Sequence, residues 1–284
     1  MTESAQGTLQ ISEELVDKEQ RLVRVIKDYG SMLLAYSGGV DSAYLAEVAT
    51  QALAGKAQLL IADSPSVPRA ELREALDLAK KRKWSVCTLK TRELDHEVYL
   101  RNGPHRCYHC RVELFSRMRA CANELGLDVI AYGSNADDAK DPARVGALAA
   151  QEMGVKAPLE EAGLSKQEVR MLSRARNLPT ADKASFACLA SRVPTGTPIT
   201  TKTLSKIEQV ESALMGLGFH QYRARHHGDL CRIEVEPDDF GRLLDEATRQ
   251  HIMGVAREAG YKHVALDLAG YRTGSTSGPR GASA

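Results

Sequence analysis

Residues 32–53 read MLLAYSGGVDSAYLAEVATQAL, and this stretch decides the fold. Met32 to Tyr36 form a short apolar run without helical period. Ser37-Gly38-Gly39-Val40-Asp41-Ser42 follow at once, and from Ala43 the apolar residues recur at helical spacing. The order is strand, tight loop, helix. Outward from it the rhythm repeats: AQLLIAD (57–63) is strand-like, PRAELREALDLAKKRKW (68–84) is helical with Pro68 near its first turn, and SVCTLK (85–90) is strand-like again. DVIAYGSN (128–135) supplies a further strand and ARVGALAAQEMG (143–154) a helix after it. Alternation of this kind predicts right-handed βαβ units, hence an α/β protein with a doubly wound parallel sheet.

From Pro158 the rhythm changes. LSKQEVRMLSRARN (164–177) reads as an amphipathic helix opened by Ser165, and Pro179 to Pro198 form a turn-rich connector that holds Cys188. TTKTLSKIEQVESALMGLG (200–218) is a long helix ended by Gly216 and Gly218. Strand-like QYRARHH and LCRIEVE, helices within 238–260 and a last strand KHVALDL follow. The expected division is an α/β domain over 1–190 that includes the connector, a smaller α+β domain over 191–271 for substrate or oligomer contacts, and a disordered Gly/Ser-rich tail over 272–284.

The 284 residues are enough for about two domains. Thirty-eight Lys and Arg against thirty-seven Asp and Glu leave a net charge of +1, which argues against a polyanion-coating surface and so against a nucleic-acid partner. No apolar run approaches the roughly 20 residues of a membrane span, and the acidic start carries no secretory pattern. A cytoplasmic protein without a membrane partner is expected. Six cysteines are too sparse for a disulfide scaffold in a chain of this length, which leaves packing, metal binding or chemistry as their roles.

Between a buried strand and a helix, the N–H groups of a glycine turn and the positive helix end converge on an anion, and phosphate is the natural guest. Gly38 and Gly39 let the main chain approach it, Ser37 and Ser42 add donors, and Asp41 suits a magnesium-bound water. The loop has neither the lysine of GxxxxGK[ST] nor the spacing of GxGxxG, so a Walker-type or dinucleotide site does not fit. A plain turn is the competing reading. Asp63-Ser64 and Gly133-Ser134-Asn135 stand at the carboxyl edge of the expected sheet, where open α/β sheets bind ligands, and are candidates to cup adenine and ribose. Asp137, Asp138 and Asp141 suit magnesium and Arg144 a phosphate, although Asp137 and Asp138 serve equally well as helix caps.

SGGxDS in this setting resembles the pyrophosphatase loop of the N-type ATP pyrophosphatases, which cleave ATP between the α and β phosphates and adenylate a carboxylate or carbonyl oxygen. Within that superfamily the chain resembles the ATP-dependent sacrificial sulfur transferases of the LarE family, on RCYHCRVELF, YGSNADDAKDPARVGALAAQEMGVKAPLEEAGLSKQEVR, DKASFACLASRVPTGTPIT and RARHHGDLCRIEVE. The matching stretches run from about residue 31 to about 270. The resemblance implies ATP and Mg2+ at residues 37–42, a pyridinium biscarboxylate mononucleotide as substrate, and thiocarboxylate formation in nickel-pincer nucleotide biosynthesis. A homo-oligomer is expected.

Cys188 lies between Lys183 and Arg192, cations that favour a thiolate, though a small hydrophobe filling a turn is the plainer reading. Cys107 and Cys110 form a CxxC in RNGPHRCYHCR, a segment with three Arg, two His and no acid. Structural zinc, a redox dithiol and two unconnected surface cysteines all stay open from residues alone. The resemblance implies that Cys188 either surrenders its own sulfur or joins Cys107 and Cys110 as ligands of a 4Fe–4S cluster; the cluster is the expectation here because all three are present. Cys87 and Cys121 read as core residues in a strand and a helix. Arg223 and Arg225 alternate by two, so a strand turns both to one side, and with Arg192 they are candidates to clamp the substrate phosphate. A solvated sheet face is the alternative. Glu211, Glu234 and Glu236 are weaker candidates for a cation site. A tRNA-thiolating enzyme and a non-catalytic nucleotide or redox sensor are the competing functions.

Overall fold

The structure, a computed structural model, describes residues 11–140, 145–184 and 187–272. It divides into two units that interleave along the chain. The first comprises the described residues up to Asp63, Glu71–Thr91 and Arg111–Lys183; the second comprises Ser64–Ala70, Arg92–Cys110 and the described residues from Ala184 onward. Residues 64–70, 92–110, 184 and 187–190, read from the sequence as parts of the first domain, thus pack within the second unit. The expected tail, apart from Arg272, lies outside the described residues, as do Asp141, Arg144, Ser185 and Phe186.

The first unit is built on a parallel sheet in the order β3-β2-β1-β4, with β1 Met32–Ala35, β2 Ala57–Asp63, β3 Val86–Lys90 and β4 Val129–Tyr132. This is the α/β class expected, flanked by helices. Met32, Leu33 and Leu34 of the central β1 are fully buried, as a parallel strand covered on both faces requires. Helix α1 (Glu13–Asp28), which the sequence reading passed over, is capped by Ser12 and turns Leu15, Leu22 and Ile26 inward. Helix α2 (Val40–Leu53) is apolar nearly all round and packs against α1 and β2. Helices α3 (Arg69–Arg82), α4 (Glu97–Leu100), α5 (Arg106–Leu125), α6 (Val145–Glu152), α7 (Pro158–Glu161) and α8 (Lys166–Ala175) follow, the unit division falling within α3 and α5. Ser165 caps α8 in a reciprocal capping box with Glu168, as its position suggested.

In the second unit α9 (Thr201–Gly216) and α11 (Glu246–Glu258) pack together, and α9 lies against β5 (Tyr222–His227). β5 pairs antiparallel with β6 (Leu230–Val235), and after α10 (Phe240–Leu244) and α11 the chain returns as β7 (His263–Leu266), parallel to β6. Ile207, Val210 and Leu214 of α9 meet Ala224, Ile233 and Val235 of the sheet in one core. No helix among the described residues is long and apolar enough to cross a membrane.

Candidate functional site

In the first unit the glycine loop is a tight turn held by its own hydroxyls. Ser42 Oγ donates to Gly39 O (3.1 Å) and accepts from Ser37 N (3.2 Å), and the two seryl oxygens lie 3.0 Å apart. Gly39 occupies the N-cap of α2 without a side-chain cap, so the first N–H groups of a buried helix have no side-chain acceptor there. Gly38 has φ +73°, and a Cβ there would stand 2.5 Å from Ala75 Cβ. At the end of β4, Gly133 passes so close to α2 that a Cβ would lie 3.0 Å from Ser42 N. Both glycines are dictated by space.

Asp41, in the first turn of α2, accepts from Asn135 Nδ2 (3.3 Å) on one oxygen and from Lys166 Nζ on the other. Asn135, 1% exposed, accepts from the N–H groups of Asp137 (3.0 Å) and Asp138 (3.1 Å), and its own N–H reaches Asp138 Oδ2 at 3.4 Å. The structure thus brings Ser37, Asp41, Ser42, Gly133, Asn135 and Asp138 together, and adds Lys166, which the sequence reading did not single out. Asp63 closes β2 opposite Lys90. Ser64 belongs to the second unit, where its hydroxyl donates to the buried Glu93.

The second unit concentrates charge in its core. Arg192 is fully buried and forks onto Glu211 (2.8 and 2.9 Å), while its remaining nitrogen donates to Ser191 Oγ (3.0 Å) and the carbonyls of Ala187 and Cys188. Glu211 also accepts from Ala224 N (3.0 Å), which ties α9 to β5. Arg225 donates to Glu234 (2.9 Å) and to Ser191 O (3.0 Å), and Arg232 meets the second oxygen of Glu234 at 3.1 Å. Arg223 stacks on Tyr271, 4.9 Å from the ring centre. Burial, and next the neighbouring Arg192 guanidinium, draw Arg223 below the usual range, while Tyr271 and Glu211 pull the other way. Glu211 and Glu234, expected as cation ligands, therefore face arginines. Among the described residues no three His, Cys, Asp or Glu side chains are grouped to hold a single metal ion.

All three cysteines of interest fall in the second unit. Cys107 and Cys110 stand three apart at the start of α5 and share a face, Cys107 exposed and Cys110 half-buried. Cys110 and half-buried Cys188 both border the core. Arg106 joins the CxxC to the connector: it donates to Asn102 Oδ1 (2.5 Å) and Ala190 O (2.9 Å), with Cys107 Sγ 3.8 Å away. Asn102, buried at φ +53°, donates in turn to the carbonyls of Val193 (3.3 Å), Pro194 (2.8 Å) and Thr197 (2.9 Å). Burial draws the Arg106 guanidinium down, but Cys188, Cys107 and Tyr99 together raise it above its ordinary value. Tyr99 bonds to Ser66 Oγ (2.6 Å) and is pushed far up, by burial first and by Cys188 next, with Cys110 adding to it. Cys188 thus shares Arg106 with Cys107 and Tyr99 with Cys110. By contrast Cys231 is a core thiol, pushed up to about 12 by burial and then by Glu211. Half-buried Cys87 donates to Leu59 O at 3.4 Å and neighbours Cys121.

No protein-family profile matches the chain. It is similar to an uncharacterized protein of Synechocystis sp., 35% identical over 260 residues that cover 92% of this chain and 97% of that one. It is also similar to the pyridinium-3,5-bisthiocarboxylic acid mononucleotide synthase of Lactiplantibacillus plantarum, 29% identical over 92% of this chain and 94% of that enzyme. The chain belongs to the LarE family. An uncharacterized protein of Methanocaldococcus jannaschii is 26% identical over 85% of this chain and 91% of its own. The matches span both units.

Proposed function

We propose that the chain is an ATP-dependent sulfur transferase that makes a thiocarboxylate on a pyridinium biscarboxylate mononucleotide, in nickel-pincer nucleotide biosynthesis. The observation that carries this reading is the similarity, over nearly all of both chains, to a synthase named for the bisthiocarboxylic acid mononucleotide. The glycine loop supports ATP: an open helix end, two glycines fixed by close contacts and paired seryl hydroxyls suit a triphosphate. Magnesium brought by ATP needs only one or two protein carboxylates besides phosphate oxygens, and Asp41 offers one. A substrate carboxylate oxygen attacks the α-phosphorus and pyrophosphate departs, leaving an acyl adenylate. A sulfur nucleophile then attacks the carbonyl carbon and AMP leaves with the carboxylate oxygen.

The guanidinium of Arg223, stacked on Tyr271 with Arg192 and Arg225 as neighbours, suits the substrate phosphate. Arg106 ties the start of α5 to the connector, and the carbonyl contacts of Arg192 fix the main chain at Cys188. Three thiolates suit a 4Fe–4S cluster, whose sulfurs stand wider apart than those around a single ion, and Cys107, Cys110 and Cys188 would hold it. Such a cluster would supply a labile sulfide as the sulfur nucleophile.

Anaerobically prepared full-length protein, incubated with ATP, Mg2+ and the biscarboxylate mononucleotide, is expected to release AMP and pyrophosphate in equal amounts and to exchange oxygen for sulfur in the substrate. Cys107→Ala, Cys110→Ala and Cys188→Ala should each stop sulfur transfer while pyrophosphate release continues. Loss of hydrogen sulfide from Cys188, with both CxxC variants fully active, would replace the cluster by sacrifice of the cysteine. ATP binding without pyrophosphate release would leave a sensor, and turnover only with tRNA a tRNA thiolase.

A further inference from the structure

We propose that Cys87 and Cys121 form a reversible disulfide when the protein meets a hydroperoxide, and that this bond ties together the two ends of the chain excursion that carries the CxxC. The proposal does not depend on the ATP or sulfur-transfer readings. β3 ends at Lys90, the chain passes into the second unit at Arg92, and it re-enters the first at Arg111 within α5. Cys87 stands just before that departure and Cys121 after the return, both in the first unit and both half-buried. Neither has a part in the proposed reaction.

As the crossover between the parallel strands β3 and β4, α5 runs back along the sheet. Met118 and Ala122 are among its buried positions, and Cys121 lies beside both. Arg117 donates to Lys90 O at the end of β3. Cys121 is one helical turn beyond Arg117, and Cys87 is three residues back along the strand from Lys90, so both step away from that contact in the same direction. The Cys121 thiol accordingly comes within hydrogen-bonding reach of Cys87, whose Sγ also donates to Leu59 O at 3.4 Å. Burial first, and Cys121 next, push the Cys87 thiol up, so Cys87 keeps its proton and Cys121 is left to meet the oxidant. The Cys121 thiolate attacks the peroxide oxygen, the O–O bond breaks, and a sulfenic acid forms while the departing oxygen takes a proton. The Cys87 sulfur then attacks the sulfenic sulfur, and the hydroxyl leaves as water with the Cys87 proton. Two electrons have passed from the thiols to the peroxide, and an added thiol returns them by exchange. The bond encloses residues 88–120 and so removes freedom from the unfolded chain.

The test treats reduced full-length protein with hydrogen peroxide in low molar excess, then alkylates it and digests it with trypsin without reduction. A cross-linked pair of peptides 84–90 and 120–140, lighter by two hydrogens than the separate thiols, is expected. Tm should rise by about 5 °C or more on oxidation and return with dithiothreitol. Cys87→Ala and Cys121→Ala, each compared reduced against oxidised, should lose both the cross-link and the rise, which separates this pair from Cys107, Cys110 and Cys188. Cys87 and Cys121 that stay fully alkylatable after peroxide, or that join mainly to other cysteines, overturn the proposal. So does a cross-link that leaves Tm unmoved, or a rise that persists in both variants.

Discussion

The first unit leaves main-chain donors open at its loop, and the second buries charged side chains against one another. At the glycine loop the donors are N–H groups at the open end of α2, and no large charge is taken out of water to provide them. In the second unit Arg192, Arg223 and Arg225 are buried, and Glu211 and Glu234 compensate within the same core. A main-chain site demands space: one methyl group in the wrong place spoils it. A side-chain site demands balance: shape can drift, but a missing charge leaves its partner buried alone.

The harshest way to break this contrast is Arg192→Met, which strips the counterion from the buried Glu211. Urea unfolding should register a loss of about 3–5 kcal/mol. Arg192→Met with Glu211→Leu should recover a large part, because two apolar residues leave no buried charge. A single variant as stable as wild type would show that the second unit does not depend on balance.

Gly38→Ala tests the demand for space. The left-handed φ and the 2.5 Å approach to Ala75 Cβ should together cost about 2–3 kcal/mol and weaken ATP binding. Adding Ala75→Gly sharpens the test, since it relieves the close contact and leaves the backbone penalty. If the double variant is no more stable than Gly38→Ala, the contact carries none of the cost.

A smaller effect comes from pH. Burial holds His226 and His227 below the usual value of 6.5, aided by Lys206 and His227 for the first and by Arg232 and Arg225 for the second. A base with a depressed value binds fewer protons folded than unfolded. The stability this confers is complete above 6.5 and lost as pH falls through the lower folded values. Melting temperature should therefore decline as pH falls below 6.5, and His226→Gln should flatten that decline. Parallel wild-type and variant curves would remove His226 from the account.

The sheet and its glycine loop were legible because they are local. AQLLIAD is β2 from its first residue to its last, Ser165 opens α8, and the strand-loop-helix of 32–53 appears as read. The CxxC is legible by its chemistry, whereas Phe115, Met118 and Ala122, the buried positions of α5, are set among many charged residues that mask their helical spacing. Lys166 sits 125 residues from Asp41, and nothing local distinguishes it from a solvated lysine. Glu211 reads as an exposed position on α9 until β5 closes over it, so its pairing with Arg192 depends on tertiary packing. Arg106 and Asn102 were hidden in the same way, since their partners lie in the connector about 90 residues on.

The main chain around Cys188 is secured without help from its sulfur. Arg192 grips the carbonyls of Ala187 and Cys188, Leu189 N donates to Ser66 O at 2.8 Å, and Ser191 N donates to Cys188 O at 2.9 Å. Position 188 is therefore a socket whose walls do not depend on the atom they present, so Cys188→Ala should leave the course of the main chain there unchanged.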